Sequence, residues 1–285
     1  MITDPYPEGG AGPGEEQYND TVYNDSTIVK HRILLEEFTG HKCPNCPEGA
    51  EIAEQIKTDH PEEFLSVAIH YGPFSRVDMS DSTHPFPSDF QTKTGEKLVI
   101  KYRISSYPGG FFNRTELNGI LYQADYEKKW SINVNKLIAD ASYMAPRFKL
   151  ILENIYNSKP GDRSLRVRYK ASCLQDLTGN IAIAAYVLEN KIIAPQKDSR
   201  LNDSYVKDYE HNHVLRVGFP GGGDGKTLFT DPVVGDVAEV ISETDEISIA
   251  LSDNWKPENM DVVVFLFNSD TGEILHVEKT HLTSQ

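Results

Sequence analysis

Two of the three cysteines are separated by only two residues, Cys43-Pro-Asn-Cys46. A pair at this spacing has three chemical readings. Zinc needs about four ligands, usually with a second Cys or His pair at similar spacing, and the remaining cysteine, Cys173, stands alone far downstream. A purely structural disulfide across so short a loop would remove little chain entropy. Thiol–disulfide exchange is the reading these residues favour. If the pair opens a helix, the first sulfur meets unpaired backbone N–H groups and the positive end of the helix dipole, both of which favour thiolate over thiol. Cys43 is then the nucleophile. Cys46, one turn further on, is the resolving thiol that attacks a mixed disulfide at Cys43 and releases the product. Lys42 and a protonated His41 would favour the Cys43 thiolate further and tilt the pair toward an oxidising potential.

The elements around the pair can position it. Apolar Ile33, Leu34 and Leu35 lead into the carboxylates Glu36 and Glu37, and Thr39-Gly40 breaks the strand. Pro47 to Thr58 has helical spacing, with Ile52, Ala53 and Ile56 on one face. Phe64 to Tyr71 is a second strand, mostly apolar as a central parallel strand should be. Gly72 to Pro87 is a long loop with Asp78, Asp81, His84 and three prolines, placed where an insertion could roof the cysteines. His70 and His84 could move protons, but solvated or structural histidines are commoner. Ser88 can cap a helix from Asp89 to Tyr102, which Gly95 weakens. Gly110 to Arg114 starts an antiparallel hairpin that turns at Leu117-Asn-Gly119 and returns through Ile120 to Tyr122. Asp125 to Tyr143 carries Trp130, Val134, Leu137, Ile138 and Ala141 at helical spacing, a core stripe.

With these landmarks the first half resembles the thioredoxin superfamily. Members carry a buried carboxylate six residues before the first cysteine, where Glu37 stands; the resemblance makes Glu37 the proton acceptor for Cys46. The run Ile100-Lys-Tyr-Arg-Ile-Ser-Ser-Tyr-Pro108 is similar to the segment leading to the family's cis-proline. By that analogy Pro108 faces the cysteines and the backbone of Tyr107 pairs with an extended substrate, so Lys42, Tyr107 and Gly109 line the substrate groove. Two positions depart from the pattern: Lys42 replaces the usual aromatic, and Tyr107 replaces a smaller side chain. Partner choice is therefore not given by the resemblance.

Beyond Pro146 the period changes to two. Phe148-Leu150-Leu152, Leu165 to Cys173 and Ile181 to Val187 alternate, as do later runs at 246–251, 260–267 and 273–281, separated by turn signals such as Lys159-Pro-Gly-Asp and Asp270-Thr-Gly. The pattern predicts an immunoglobulin-like antiparallel sandwich. The expected fold is thus α/β plus all-β: a flexible, Gly- and Pro-rich tether at 1–26, a thioredoxin-like domain at 27–145, and a β-sandwich at 146–285. Cys173 falls on the apolar face, where a thiol is inert. Gly221-Gly-Gly-Asp-Gly-Lys-Thr227 fails as a phosphate loop, because Pro220 stands where its first glycine should and proline soon interrupts any following helix. His211-Asn-His213 would place two imidazoles on one strand face with no obvious third ligand, so it reads as packing.

A net charge of −15 with no basic patch argues against nucleic acid and anionic membrane surfaces as partners. No apolar run approaches the ~18 residues of a membrane helix. Met1 is followed by no charged or apolar signal-peptide region. The segment LLEEFTGHKCPNCPEGA, the YPGGFFNR stretch and His-Asn-His-Val-Leu-Arg216 before a strand-rich tail resemble the Omp-twenty-eight family of Gram-negative outer-membrane proteins. That resemblance implies a cell-envelope protein, periplasmic or surface-exposed. It also implies a chain trimmed of its signal and lipid-bearing cysteine, so that a lipid anchor is the only expected membrane attachment. The functional expectation is an extracytoplasmic thiol–disulfide oxidoreductase-like protein. It would act on protein cysteines or a redox partner through Cys43, Cys46, Glu37 and Pro108, with no cofactor and no metal. The alternative is a non-catalytic surface binding module that uses the redox fold as scaffold. A catalyst should expose Cys43 and a groove beside Pro108; a binding module should bury or permanently oxidise the pair and show an aromatic patch, for which Tyr205 and Tyr209 are candidates.

Overall fold

The computed structural model describes residues 18–24, 27 and 29–284. In chain order the first half comprises β1 (Asn19–Tyr23), β2 (Ile33–Thr39), α1 (Cys46–Asp59), β3 (Phe64–His70), α2 (Lys93–Tyr102), β4 (Gly109–Phe112) and α3 (Tyr126–Ala139). The second half is strand-rich: β5 (Phe148–Asn157), β6 (Ser164–Cys173), β7 (Asn180–Glu189), β8 (Ile192–Lys197), β9 (Tyr205–His211), β10 (Val214–Phe219), β11 (Lys226–Thr230), β12 (Val237–Glu239), β13 (Ile247–Ala250), β14 (Met260–Asn268) and β15 (Ile274–His281).

β2 is buried along its whole length and pairs in parallel with β3 and antiparallel with β4. Its odd positions, Ile33 and Leu35, face α1 and α3, where Ala53, Ile56 and Phe112 pack around Trp130. Its even positions, Leu34 and Phe38, face the opposite layer with Val67, Ile69 and Leu98 of α2. Strand alternation thus sends consecutive side chains of β2 into two different cores.

α2 begins at Lys93, four residues later than expected. Thr92, not the expected Ser88, supplies the cap: its Oγ1 accepts from the Gly95 N–H at 2.9 Å. After β4 the expected hairpin return is reduced to isolated bridges, Leu117 with Ile120 and Gly110 with Gln123.

The second half is two packed sheets, and one of them does not stop at the half-way point. A five-stranded sheet runs β1-β5-β6-β12 with β13 also on β6; the other runs β15-β14-β7-β10-β3-β2-β4, with β11 on β7. The junction is β10, antiparallel to β7 and parallel to β3 at Val214 and Ala68, where the Ala68 N–H donates to the His213 carbonyl at 2.8 Å. β7 therefore serves both cores. Ile181, Ile183, Ala185 and Val187 fill the space between the two sheets, whereas Ala182, Ala184, Tyr186 and Leu188 join the layer of Leu34, Phe38 and α2. Its eight-residue apolar run is what a strand covered on both faces requires.

Asn19–Tyr23, inside the segment expected to be a tether, pairs with β5 from Asn157 to Glu153. The Asn24 side chain extends the ladder, donating to the Leu150 carbonyl and accepting from the Leu152 N–H at 2.8 Å each. The strand is stabilised by a distant backbone edge and not by an apolar face of its own, so composition conceals it. The remainder of the expected tether, residues 1–17 with 25 and 26, lies outside the described residues. β8 and β9 pair only with each other. They leave the large sheet between β7 and β10 and reach back over the first half.

Candidate functional site

At the end of β2 the chain turns through Gly40 into the cysteine loop. The Cys43 N–H donates to the Gly40 carbonyl at 2.9 Å, α1 opens at Cys46, and the two sulfurs are joined as a disulfide with a Cα–Cα distance of 5.4 Å. Gly40 is required here. A Cβ would fall 2.7 Å from the Phe74 carbonyl oxygen, and the Lys42 N–H donates to that same carbonyl at 2.9 Å, so the loop after β3 lies directly on the cysteine turn.

The β8–β9 hairpin closes the site from the other side. Gln196 Nε2 donates to the Cys43 carbonyl at 3.0 Å, the Lys197 N–H to the His41 carbonyl at 2.8 Å, and the Ser199 N–H to the Pro44 carbonyl at 2.9 Å. Ser199 Oγ reaches Asn45 at 2.9 Å, and Arg200 grips Glu51 of α1 with two hydrogen bonds of 2.7 Å. Cys43 is 1% exposed and Cys46 2%. Of the two expectations, exposed catalyst or buried pair, the geometry matches the buried one.

Behind Cys46 lies Glu37, on the face of β2 turned toward α1. Its Oε1 is buried without a hydrogen-bond partner, and burial, reinforced by nearby Glu54, pushes its carboxyl up to about 8. The Tyr107–Pro108 peptide is cis. Gly49 of α1 lets the parts meet: a Cβ there would stand 3.0 Å from the Pro108 ring and 3.4 Å from Glu37 Oε1. Cys46, Glu37 and Pro108 thus converge on one turn of α1, around a glycine that sequence reasoning overlooked. A glycine inside a helical segment was its only signal.

The expected groove residues are placed differently. Lys42 pairs with Asp78 at 3.2 Å. Tyr107 is half-buried, its ring 5.8 Å from that of Phe74, and Gly109 is covered by the Tyr122 hydroxyl. Tyr122 and Phe74 thus pack against the residues on either side of Pro108. His41 is buried, stacked on Phe86, and burial holds it below its ordinary pKa, so it is neutral at pH 7. With His41 uncharged and Lys42 committed to Asp78, the charges expected to favour a Cys43 thiolate are absent or compensated.

A cleft of about 310 Å³ reaches Cys46 from the side of β9, lined by Glu37, Glu54, His70, Tyr209, His211 and His213 among others. The His70 and His211 rings stand 5.7 Å apart, with Phe90 5.0 and 5.1 Å from them. Burial holds His70 well below its ordinary range and lowers His211 to about 4, with neighbouring histidines adding to both. His211 ends β9 and His213 turns with a φ of 55°, so the two do not share a strand face. They meet the same cleft by different routes, His213 Nε2 lying 2.7 Å from Glu54 and 3.1 Å from Lys57. Tyr205, which donates to the Pro85 carbonyl, and Tyr209 belong to the covering hairpin rather than to an exposed patch on the sandwich. His84 is a surface residue held between Asp81 and Asp203. Cys173 is buried in the core between the sheets. Among the described residues, no cluster of His, Cys, Asp and Glu is spaced to hold a metal ion, and no helix is long and apolar enough to cross a membrane.

Residues 96–285 match the family described as Outer membrane protein Omp28. The chain belongs to the Omp28 family. It is therefore a protein of the cell envelope, associated with the outer membrane. The matched span takes in Pro108 and every strand from β4 to β15, and leaves β1, β2, β3 and the cysteine pair outside it. No curated protein matches the chain. Among solved structures, HBP35 of Porphyromonas gingivalis superposes with a TM-score of 0.58 at 18% identity over 90% of this chain and 76% of that one. A crystal structure of an Agrobacterium tumefaciens protein gives a TM-score of 0.52 at 11% identity, over 91% of this chain and 98% of that one. A domain of the outer membrane lipoprotein Omp28 from Porphyromonas gingivalis covers 49% of this Omp28-family chain and 91% of its own, at 14% identity and a TM-score of 0.27. At these identities the first two likenesses speak of fold alone.

Proposed function

We propose that this Omp28-family protein is an extracytoplasmic thiol–disulfide oxidoreductase, thioredoxin-like over residues 27–145 and immunoglobulin-like in the sandwich that follows. Glu37 carries the reading. A buried carboxyl with an unpartnered oxygen costs stability and adds nothing to packing, but beside a disulfide it can hold the proton the chemistry needs. A thiolate of a partner dithiol attacks Cys43 Sγ and the Cys43–Cys46 bond breaks. Cys46 leaves as a thiolate and takes the proton of the Glu37 carboxyl. The partner's second thiolate then attacks the partner sulfur of the mixed disulfide and expels Cys43; the partner is oxidised by two electrons and the pair reduced. The reverse sequence runs through the same atoms.

The burial of both cysteines supports a second reading, in which the disulfide is a fixed part of a scaffold and the protein acts by binding. Dithiothreitol titration of the full chain separates the two, with thiol alkylation counting free cysteines and near-ultraviolet circular dichroism following tertiary structure. Reversible reduction of Cys43–Cys46 with the tertiary signal retained supports the oxidoreductase. Reduction that occurs only as the signal is lost supports the scaffold.

A further inference from the structure

The cleft beside α1 runs from surface to core. Its mouth is formed by the exposed Glu51, Gln55 and Glu210, and its closed end by the buried Cys46, Glu37, His70 and His211. At that end three side chains from three different strands each carry a buried polar atom with no hydrogen-bond partner: Glu37 Oε1, His70 Nδ1 and His211 Nε2. Protein interiors pair nearly all such atoms, with protein or with ordered water. Three unpaired atoms around one cleft of about 310 Å³ therefore mark a place for water at its closed end, each molecule taking roughly 30 Å³ of liquid volume.

We propose that this cleft is the proton path of the site: a file of water held by His70 and His211 joins the Glu37 carboxyl, and through it the Cys46 sulfur, to solvent at the Glu54–His213 pair. Its use rests on the oxidoreductase reading; its existence does not.

Among the described residues, the other sides of the site are packed. Cys43 is sealed by the hairpin and by the loop carrying Phe74, and Glu37 is closed off toward Pro108 by the packing of Gly49. A carboxyl that gives its proton to Cys46 must recover it from solvent before the next cycle, and the cleft on the β9 side reaches it. The groups around Glu37 suit that task. Near its charge stand Glu54, Tyr122 and Tyr209, and lining the same cleft are Cys46 of α1, His70 of β3 and His211 of β9; Glu51 with Arg200, and Lys57 with His213, stand further out. Burial keeps the two deep imidazoles uncharged, so each can accept a hydrogen bond from water without placing a cation that would hold Glu37 ionised. The competing role for these histidines is packing, since both rings lie against Phe90.

The test is made on the whole oxidised chain, where no turnover is needed. Infrared difference spectroscopy follows the protonated Glu37 carboxyl, identified by its loss in Glu37→Gln, across pH and after transfer to deuterated water. In His70→Phe with His211→Phe, apolar rings displace the water that solvates the carboxylate. The Glu37 midpoint should then rise by about one unit or more, and fast deuteration of the carboxyl should be lost. His211→Gln, which keeps a polar end, should restore fast exchange. Should the core variants fail to fold, Glu54→Gln with His213→Gln leaves the buried end in place and should slow the exchange on its own, beyond any change in the Glu37 midpoint that loss of the Glu54 charge brings. An unchanged midpoint and exchange rate in the Phe variants, or in a folded mouth variant an unchanged rate, overturns the path. A path that passes while Cys43–Cys46 proves irreducible would refute the oxidoreductase and leave the water file standing.

Discussion

Glu36 and Glu37 are consecutive on β2, both buried, and they lie on opposite faces of the sheet. Glu36 receives two hydrogen bonds from Arg114, at 2.6 and 2.7 Å, and one from the Tyr186 hydroxyl of β7 at 2.8 Å. Glu37 has an oxygen with no partner at all. The fold compensates one carboxylate fully and leaves the other to be neutralised by its own proton, and the uncompensated one lines the cleft that reaches Cys46.

That difference gives a stability signature. The Glu37 carboxyl is at about 8 in the folded protein, first through burial and then through Glu54, against an ordinary value near 4.5. Between those limits the folded state binds more protons than the unfolded state, so stability is complete at the acid end and falls as pH rises, levelling off above pH 8. The loss attributable to this group is on the order of a few kcal/mol. Urea denaturation of the oxidised protein at pH 5 and pH 8.5 should show it, and Glu37→Gln should flatten that decline. An equal decline in both proteins would mean that Glu37 titrates normally.

On the other face, Arg114→Met strands Glu36 in the core. Removing one member of a buried pair costs about 3–5 kcal/mol, because the remaining charge is uncompensated. The double variant Glu36→Gln, Arg114→Met keeps an acceptor for Tyr186 and buries no charge, and it should recover most of the loss in chemical denaturation. A single variant as stable as the parent would show that the pair contributes nothing.

Because Tyr186 completes the Glu36–Arg114 pair and β7 and β14 cover Leu34 and Phe38, the first half is not self-sufficient. Expressed alone, residues 27–145 should aggregate or give a loosely packed state that binds a hydrophobic dye. A sharp thermal transition and dispersed amide resonances from that fragment would contradict the shared core.

The cysteine spacing, the carboxylate six residues before it and Tyr107-Pro108 were all visible in the sequence because they are local. So were α1 and α3 and most long strands, through their periodicity. The cover was not visible. Gln196, Ser199 and Arg200 are ordinary polar residues, and they matter only because β8 crosses to a loop about 150 positions earlier. His70 was ambiguous and His211 read as packing for the same reason, since a histidine's protonation follows from burial that only tertiary structure decides. One signal was present and under-read. Ile181 to Leu188 is apolar at every position, which marks a strand covered on both faces and so a sheet that continues beyond a two-layer sandwich.

The hairpin makes the last expectation the most direct probe of function. Gln196→Ala removes the donor that ties β8 to the Cys43 carbonyl, and Glu51→Gln weakens the exposed pair with Arg200, a contact contributing at most about 1 kcal/mol, while leaving Arg200 on Asp198. Together they should leave the thermal midpoint of the oxidised protein within a few degrees of the parent while loosening the cover over the disulfide. If the hairpin gates Cys43, the second-order rate of reduction by dithiothreitol should rise several-fold in the double variant, and alkylation of the freed Cys43 should rise with it. If access to the sulfurs instead requires opening of the shared core, the rate should track global unfolding, and the two substitutions should change it only as far as they change stability. Measured against denaturant, a reduction rate independent of low urea identifies local opening of β8–β9, and one that climbs with the full unfolding slope rules it out.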